Sequence, residues 1–233
     1  MKKLFILGML IGFITMSYGQ KLAIYNVAAT AEDYVLLLET KGYMAFAFDI
    51  TSLKDATYWI EPVIQHYQQG KLVPNSLEVS IQFSSRDMLP TKNEAFVEKM
   101  RKAGRIYDEA QGILSLCEKI RVGFAPSSEE NIRLMRFFVT DKGNFTIPLF
   151  FEPQIDLKTG IEAAHYSYGY LPFVVDEIVF DQFIPLALCG SYWYDERSES
   201  FRFCGESVLT KEMTEDILKD IKEYYIIGIK VHR

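Results

Sequence analysis

The segment NIRLMRFFVTDKGNFTIPLFFEP, residues 131–153, contains the clearest indication of the fold. Two apolar runs flank the polar, glycine-containing sequence TDKGN, a pattern that predicts an antiparallel hairpin. Strand-like segments continue downstream, in FVVDEIVFDQFIPLALCGSYWYD at 173–195 and in SFRFCG at 200–205. The C-terminal half is therefore predicted to form an antiparallel, hairpin-rich sheet.

Three other segments indicate helices. Residues 52–70 place apolar side chains on one helical face and end at Gly70. Residues 92–120 carry an apolar stripe at steps of three and four, with Thr91 as N-cap and Glu94 completing a capping box. Residues 209–231 predict an amphipathic helix that runs into a last strand. The predicted fold class is α+β, with a helix-rich N-terminal half, an antiparallel sheet in the C-terminal half, and a closing helix and strand.

The first residues predict export. Lys2 and Lys3 precede an apolar run, and small residues follow at Ser17 and Gly19, which is the pattern of a secretory signal peptide. A short membrane anchor is the alternative, but the run is shorter than the roughly 18 residues that span a bilayer. We predict a signal peptide at residues 1–19 and a single exported domain at residues 20–233. The expected location is periplasmic or extracellular, without a membrane span after cleavage.

The charge balance limits the choice of partner. The full chain has 25 basic and 31 acidic residues, and loss of the signal peptide would leave 23 basic residues against the same 31 acids. Nucleic acid is not expected as a partner, because phosphate binding requires a basic patch. An acidic chain is compatible with a basic protein partner.

Two of the three cysteines lie in LCGSYWYDERSESFRFCGE, residues 188–206. A turn centred between Glu196 and Arg197 would place Cys189 opposite Cys204, at a Cα separation that a disulfide tolerates. Export makes oxidation of such a pair the leading prediction. Two reduced core thiols remain the alternative, since the spacing fits neither a redox nor a zinc motif. Cys117 is predicted to be a buried small hydrophobe.

Aromatic side chains supply the candidate binding surfaces. Tyr166, Tyr168 and Tyr170 recur at period two, so a strand would place all three on one face. Trp193 would lie diagonally across a hairpin from Arg202, within reach of a cation–π contact. Both sets suit recognition of proteins or sugars. The alternative for the tyrosines is a cross-strand ladder packed in the core.

Signatures of common active sites are absent from the sequence. It contains no G-x-S-x-G, HExxH, P-loop or GxGxxG motif, and its three histidines have no metal-ligand spacing. No catalytic residue, metal or cofactor is predicted. If the protein is an enzyme, the candidate acids are Asp176, Glu177 and Asp181, since glycosidases use two carboxyl groups. A solvated strand edge is the simpler interpretation of these acids.

The leading functional hypothesis is an exported, non-enzymatic binding protein. The specific version of this hypothesis is an inhibitor or immunity-type protein that masks a basic protein partner. One alternative is a carboxylate-dependent hydrolase acting on glycans or cell-wall material. Another is a carbohydrate-binding or structural module of the cell envelope.

Overall fold

The computed structural model describes residues 38–74, 77, 79–90, 92–155, 160, 166–195, 197–203, 207–214 and 216–233. Strands account for 48% and helices for 11% of the structure, and the helices are short. The predicted α+β class with a helix-rich N-terminal half is therefore wrong, because the protein consists mainly of antiparallel sheets. The signal peptide predicted at residues 1–19 lies outside the described residues.

The strands follow one another along the whole described chain. In chain order they are β1 (Met44–Asp49), β2 (Trp59–Gln68), β3 (Lys71–Val73), β4 (Phe83–Ser84), β5 (Arg86–Met88), β6 (Ile113–Leu116), β7 (Lys119–Pro126), β8 (Ile132–Val139), β9 (Gly143–Phe150), β10 (Tyr168–Pro172), β11 (Ile184–Ser191), β12 (Trp193–Asp195), β13 (Ser200–Arg202) and β14 (Glu223–His232). Two α-helices interrupt them, α1 (Glu94–Lys102) and α2 (Ile217–Asp220), together with a 3-10 turn at Thr51–Lys54.

Four strands form the first sheet, in the order β1-β7-β8-β9, and every pair is antiparallel. The hairpin predicted from residues 131–153 is confirmed as β8–β9, with Val139 opposite Gly143. Asp141 has a φ of 59° in its turn and Gly143 a φ of 148°. The turn therefore needs residues that accept positive φ, which explains the sequence DKG between the two apolar runs.

Six strands form the second sheet, in the order β10-β11-β14-β2-β3 with β4 also beside β2. All of its pairs are antiparallel. β11 is buried along its whole length, and β14 along nearly all of it. Both faces of these central strands are covered, which explains the continuous apolar runs in their sequences. β5 pairs with β6 and β12 pairs with β13 in two small hairpins.

Side chains from both sheets share one core. Phe124 of β7 stacks on Tyr170 of β10, with ring centroids 4.8 Å apart. Phe151, just after β9, contacts the rings of Tyr168 and Tyr225 in the second sheet. The two sheets therefore pack face to face as a sandwich. A second apolar cluster covers the outer face of the larger sheet and includes Leu171, Phe173, Leu188, Leu209, Ile217, Ile221 and Ile226.

The helix predicted at residues 52–70 is wrong, because most of this segment is strand β2. Alternate side chains along β2 are buried, namely Ile60, Pro62, Ile64 and His66. A proline inside a helix would break it. In β2, Pro62 is tolerated because β4 pairs with residues 59–60 and β3 with residues 66–68, so neither strand lies beside it among the described residues.

The helix predicted at residues 92–120 forms only in its first part, as α1. The side chain of Asn93 accepts a hydrogen bond from the Phe96 N–H at 3.0 Å, so Asn93 is the N-cap. Thr91, the predicted N-cap, lies outside the described residues. The helix stops before Gly104, whose φ is 63°. The residues beyond it form β6 and β7, so the predicted stripe is spread over three elements.

The predicted C-terminal helix is also largely wrong. Among the described residues of this segment only Ile217–Asp220 is helical, and Glu223–His232 forms β14. The run YYIIGIKV is rich in aromatic and β-branched residues, which favour strands. β14 is a central strand of the larger sheet, where it pairs with β11 and with β2.

Candidate functional site

A cleft of about 620 Å³ opens between β1 and the segment that leads into β11; we call it the β1 cleft. Two stretches of the chain supply most of its lining, residues 47–53 without Thr51 and residues 175–180 without Val179. Buried side chains of the larger sheet also contribute to the lining, namely Ile184, Leu186 and Ile229. The cleft therefore lies at an open side of the sandwich, where both sheets reach its surface.

Aromatic side chains give the β1 cleft an apolar interior. Phe48, Tyr58 and Phe180 line it, and the rings of Tyr58 and Phe180 stack with centroids 5.3 Å apart. The guanidinium of Arg233 lies 4.5 Å from the centroid of the Phe180 ring. These contacts fix the orientation of Phe180 in the cleft wall.

Every charged residue in the lining is an acid. Asp49, Asp176 and Glu177 are exposed, and we call them the acid rim. Asp49 Oδ1 accepts hydrogen bonds from the Thr51 hydroxyl at 2.6 Å and from the Thr51 N–H at 2.8 Å. These hydrogen bonds hold the pKa of Asp49 below its ordinary value, the hydroxyl having the larger effect. Asp49 is therefore an anion at neutral pH, at the edge of an apolar cleft.

The wall that carries Asp176 and Glu177 is fixed at both ends. The Val174 N–H donates to the Leu209 carbonyl at 2.9 Å, and the Asp181 N–H donates to the Val231 carbonyl at 2.9 Å. The residues between them form no strand within the described chain. The acids of the rim thus lie on a loop whose ends are held by the larger sheet and its outer layer.

The structure brings two of the three predicted acids together. Asp176 and Glu177 line the β1 cleft, whereas Asp181 is not part of its lining. Asp181 Oδ1 instead lies 2.7 Å from His232 Nδ1, and Glu61 Oε2 lies 3.0 Å from His232 Nε2. An imidazole between two carboxylates donates from both nitrogens when it is protonated. The hydrogen bonds that His232 donates, first to Asp181 and then to Glu61, accordingly raise its pKa.

We expect the pKa of His232 to fall in an Asp181→Asn variant, measured by NMR titration of the imidazole ring. A raised folded-state pKa means that protonated His232 stabilises the fold fully below its unfolded pKa of about 6.5. That contribution is lost as the pH rises through the folded-state value. The difference in melting temperature between wild type and His232→Gln should therefore shrink with increasing pH. An unchanged His232 pKa in both Asp181→Asn and Glu61→Gln would contradict the assignment.

A family model described as "Domain of unknown function (DUF5041)" matches residues 13–233, almost the whole chain. The chain belongs to the DUF5041 family. Comparison with curated proteins and with solved structures returned no match. The function of this DUF5041 chain must therefore be inferred from its own residues.

The described part of the DUF5041 chain shows neither a metal-binding cluster nor a membrane-spanning helix. Its described residues contain no group of three or more His, Cys, Asp or Glu side chains placed to hold a metal ion. None of the helices in the same residues has the length and apolar character needed to cross a membrane. The absence of a cofactor stays a prediction.

The three predicted binding tyrosines pack against the core between the sheets. Tyr168 is only 8% exposed and donates to the Glu130 carbonyl at 2.7 Å, while Tyr166 and Tyr170 are half-buried. The Tyr170 hydroxyl donates to the Gly42 carbonyl at 3.4 Å. Burial raises the pKa of both Tyr168 and Tyr170. These contacts fit the alternative of a packed cross-strand ladder, and a binding role for the tyrosines stays a prediction.

The predicted hairpin at residues 188–206 forms with a different register. Tyr194 lies opposite Phe201, and Trp193 lies directly opposite Arg202 rather than diagonally across from it. The observed register differs from the predicted one by two residues. β12–β13 is thus a short hairpin that begins only after β11 has ended.

Trp193 and Arg202, the other candidate binding residues, have partners within this hairpin. Trp193 is half-buried and its ring centroid lies 6.1 Å from that of Phe203. Arg202 forms an ion pair with Asp195 at 2.5 Å. That pair, with hydrogen bonds from Ser198 and the Arg197 N–H, lowers the pKa of Asp195 to about 2. A binding role for Trp193 and Arg202 stays a prediction.

The disulfide predicted between Cys189 and Cys204 also stays a prediction. Cys189 is fully buried, in register with Tyr170 on one side and Tyr225 on the other. Burial raises the pKa of its thiol. Cys204 lies outside the described residues. Cys117 is buried, as predicted.

The helix predicted over residues 52–70 gave no indication of a buried hydrogen-bonded pair, His66 with Glu223. His66 Nε2 lies 2.8 Å from Glu223 Oε1, and both side chains are buried. Gln68 Nε2 donates to the same oxygen at 3.2 Å, and the Glu152 N–H donates to Glu223 Oε2 at 2.5 Å. The His66 ring stacks on Tyr225 with centroids 4.2 Å apart. The pair thus connects β2 and β14 to the segment that follows β9.

Proposed function

We propose that the protein is an exported, non-enzymatic binding protein that holds a basic segment of a protein partner in the β1 cleft. The observation that carries this proposal is the acid rim at the edge of an apolar, aromatic interior. Lysine and arginine combine an apolar stem with a cationic head. Such a side chain would lay its stem against the aromatic lining and place its head among the carboxylates of the rim.

The overall charge of the chain supports the same partner chemistry. The formal net charge is −6, and removal of a signal peptide would leave 23 basic and 31 acidic residues. A negative field of this kind accelerates association with a positively charged surface and disfavours acidic competitors. An inhibitor or immunity-type protein that masks a basic partner is the concrete form of the proposal.

Reversing the charge of the acid rim is expected to weaken binding of a basic probe. The probe is a short fluorescent peptide in which lysine alternates with valine, and a glutamate–valine peptide is its counterpart. We expect Asp176→Lys/Glu177→Lys to raise the Kd for the lysine peptide by about tenfold or more, equivalent to about 1.4 kcal/mol. Fluorescence anisotropy measures both affinities, and the wild-type affinity should fall as salt screens the charges.

The matched control is Glu212→Lys/Asp220→Lys, which makes the same change of charge at exposed acids outside the cleft lining. This variant should keep most of the wild-type affinity. Equal losses in the two double variants would show that only net charge matters and would contradict a role for the cleft. Capture from the envelope fraction with wild type and with Asp176→Lys/Glu177→Lys would then identify partners that depend on the acid rim.

A carboxylate-dependent hydrolase is the second candidate, because Asp176 and Glu177 share a concave site with Tyr58. Glycosidases require two carboxyl groups beside a cleft. Their general acid usually lies in an apolar, buried setting, whereas Asp176 and Glu177 are exposed. Turnover of a glycan or of cell-wall material that is lost in Asp176→Asn, with no binding of the lysine peptide, would favour the hydrolase.

A further inference from the structure

We infer that the basic segment of the partner binds as an added β-strand along the open edge of β1. This inference rests on the proposed function and specifies how the β1 cleft holds its partner. An exposed sheet edge offers main-chain hydrogen bonds to an extended peptide, and neighbouring pockets then select its side chains. β1 has both features, an exposed edge and a neighbouring cleft.

β1 is an outer strand that bonds to β7 on one side. The Ile50 N–H donates to the Glu118 carbonyl at 2.9 Å, in register with the β1–β7 pairing. The backbone N–H and C=O groups of successive residues in a strand point to opposite sides. Because those of Ile50 point towards β7, every second residue counted from Asp49 points away from β7. These outward residues are Ala45, Ala47 and Asp49. Their backbone groups have no backbone partner among the described residues.

The other outer strands have features that hinder strand addition. β9 contains Pro148, β10 ends at Pro172, and β3 is only three residues long and begins with Lys71. Proline, lysine and short length are the usual ways in which proteins protect sheet edges. β1 has the sequence MAFAFD, six residues with no proline, no lysine and a single charge at its end. It is therefore the edge best suited to accept another strand.

Charge complementarity indicates what the added strand contains. Residues 47–49 of β1 line the cleft, and Asp176 and Glu177 line the same cleft. Side chains of an extended segment alternate between two faces. A segment with basic residues at alternate positions could pair its backbone with β1 and direct cationic heads to the acid rim. A second copy of this chain fits less well, because its net charge of −6 opposes self-association.

The test removes outward N–H groups from β1 without changing its bonds to β7. Ala45→Pro and Ala47→Pro, made separately, should each raise the Kd for the lysine–valine peptide by roughly tenfold, through loss of a hydrogen bond and obstruction of the edge. Proline is tolerated on an edge strand where its nitrogen faces outward. Thr146→Pro is the matched control, since Thr146 lies on β9 two residues before Pro148 and shares its outward direction. It should leave the affinity unchanged.

A second measurement changes the peptide instead of the protein, so it stands even if a proline variant does not fold. One lysine–valine peptide is methylated on the backbone nitrogens of its lysines, and a second peptide on those of its valines; each is one methylated frame. Strand addition uses only one edge of the peptide. One methylated frame should therefore lose binding to wild-type protein, while the other frame keeps it.

The outcomes separate this inference from the proposed function. Wild-type affinity in both proline variants, or equal behaviour of the two methylated frames, would overturn strand addition. If the charge reversal at Asp176 and Glu177 still weakens binding, the proposed function survives that result. Failure of wild-type protein to bind any lysine peptide would overturn both. A dimer that dissociates in the proline variants would also overturn the inference, because the edge would then pair with a second copy.

Discussion

The Gly228→Ala variant is expected to be less stable than the wild type by about 3 kcal/mol or more. Gly228 lies in β14, between β11 and β2. A Cβ at this position would overlap the Ile184 carbonyl oxygen and would lie 2.5 Å from the ring of Phe183. The carbonyl belongs to the backbone of a central strand, so it cannot move aside as a flexible side chain can. The variant must distort the middle of the larger sheet.

Thermal and denaturant unfolding measure this loss, which corresponds to a decrease of about 10 °C in melting temperature for a domain of this size. Gly123→Ala is the matched control, because Gly123 also lies inside a strand, β7. The nearest atoms to a Cβ there are backbone oxygens at 3.8 and 3.9 Å, an ordinary contact distance. Alanine at 123 should be neutral or stabilise the fold by up to about 1 kcal/mol, since glycine loses more entropy on folding. An unchanged unfolding midpoint for Gly228→Ala would contradict the close approach.

The close approach at Gly228 illustrates what a sequence cannot reveal. It depends on the pairing of β14 with β11, which shifts register between Pro185 and Ala187. The β8–β9 hairpin, in contrast, was predictable because its strands are neighbours in sequence and its turn needs positive φ. Local pairings leave a signal in turn residues, whereas the pairing of β2 with β14 spans most of the chain.

The helix predictions failed where apolar residues occupy adjacent positions of a strand. Val63 and Ile64 are neighbours in β2, and the first is half-buried while the second is buried. Apolar residues at adjacent positions can match a period of 3.6 as well as a period of two over a short segment. Pro62 was the available signal against a helix. In β14 the aromatic and β-branched run was the corresponding signal.

The β1 cleft was predictable only in part. Asp176 and Glu177 were candidate acids because they follow one another in a strand-like segment, but Asp49 was not, since it lies far away in sequence. The hairpin register was missed for a local reason. Asp195 accepts hydrogen bonds from the Arg197 N–H and the Ser198 hydroxyl, and it pairs with Ser200, so the connection between the two strands is longer than two residues. A two-residue turn was assumed instead.

Removal of the buried carboxylate in Glu223→Ala is expected to destabilise the protein by about 3–5 kcal/mol. His66, Gln68 and the Glu152 N–H all donate to this side chain and would lose their acceptor. Buried donors without partners carry the full penalty of desolvation. The variant would also lose the hydrogen bonds through which Glu223 connects β2 and β14 to the segment after β9. Glu152→Ala is the control, because it removes an exposed carboxylate beside the same site and should change stability by less than about 0.5 kcal/mol.

A double-mutant cycle with His66→Ala tests whether the contact itself is responsible. Residues in direct contact show coupling free energies of about 0.5–3 kcal/mol, whereas independent sites give additive effects. We expect coupling, because His66→Ala should cost less stability in a protein that already lacks the Glu223 carboxylate. Glu223→Gln keeps the shape and one acceptor oxygen, so it should fold and lose less stability than Glu223→Ala. Strictly additive losses, or equal losses in Glu223→Gln and Glu223→Ala, would mean that packing rather than the His66–Glu223 hydrogen bond stabilises this end of the sandwich.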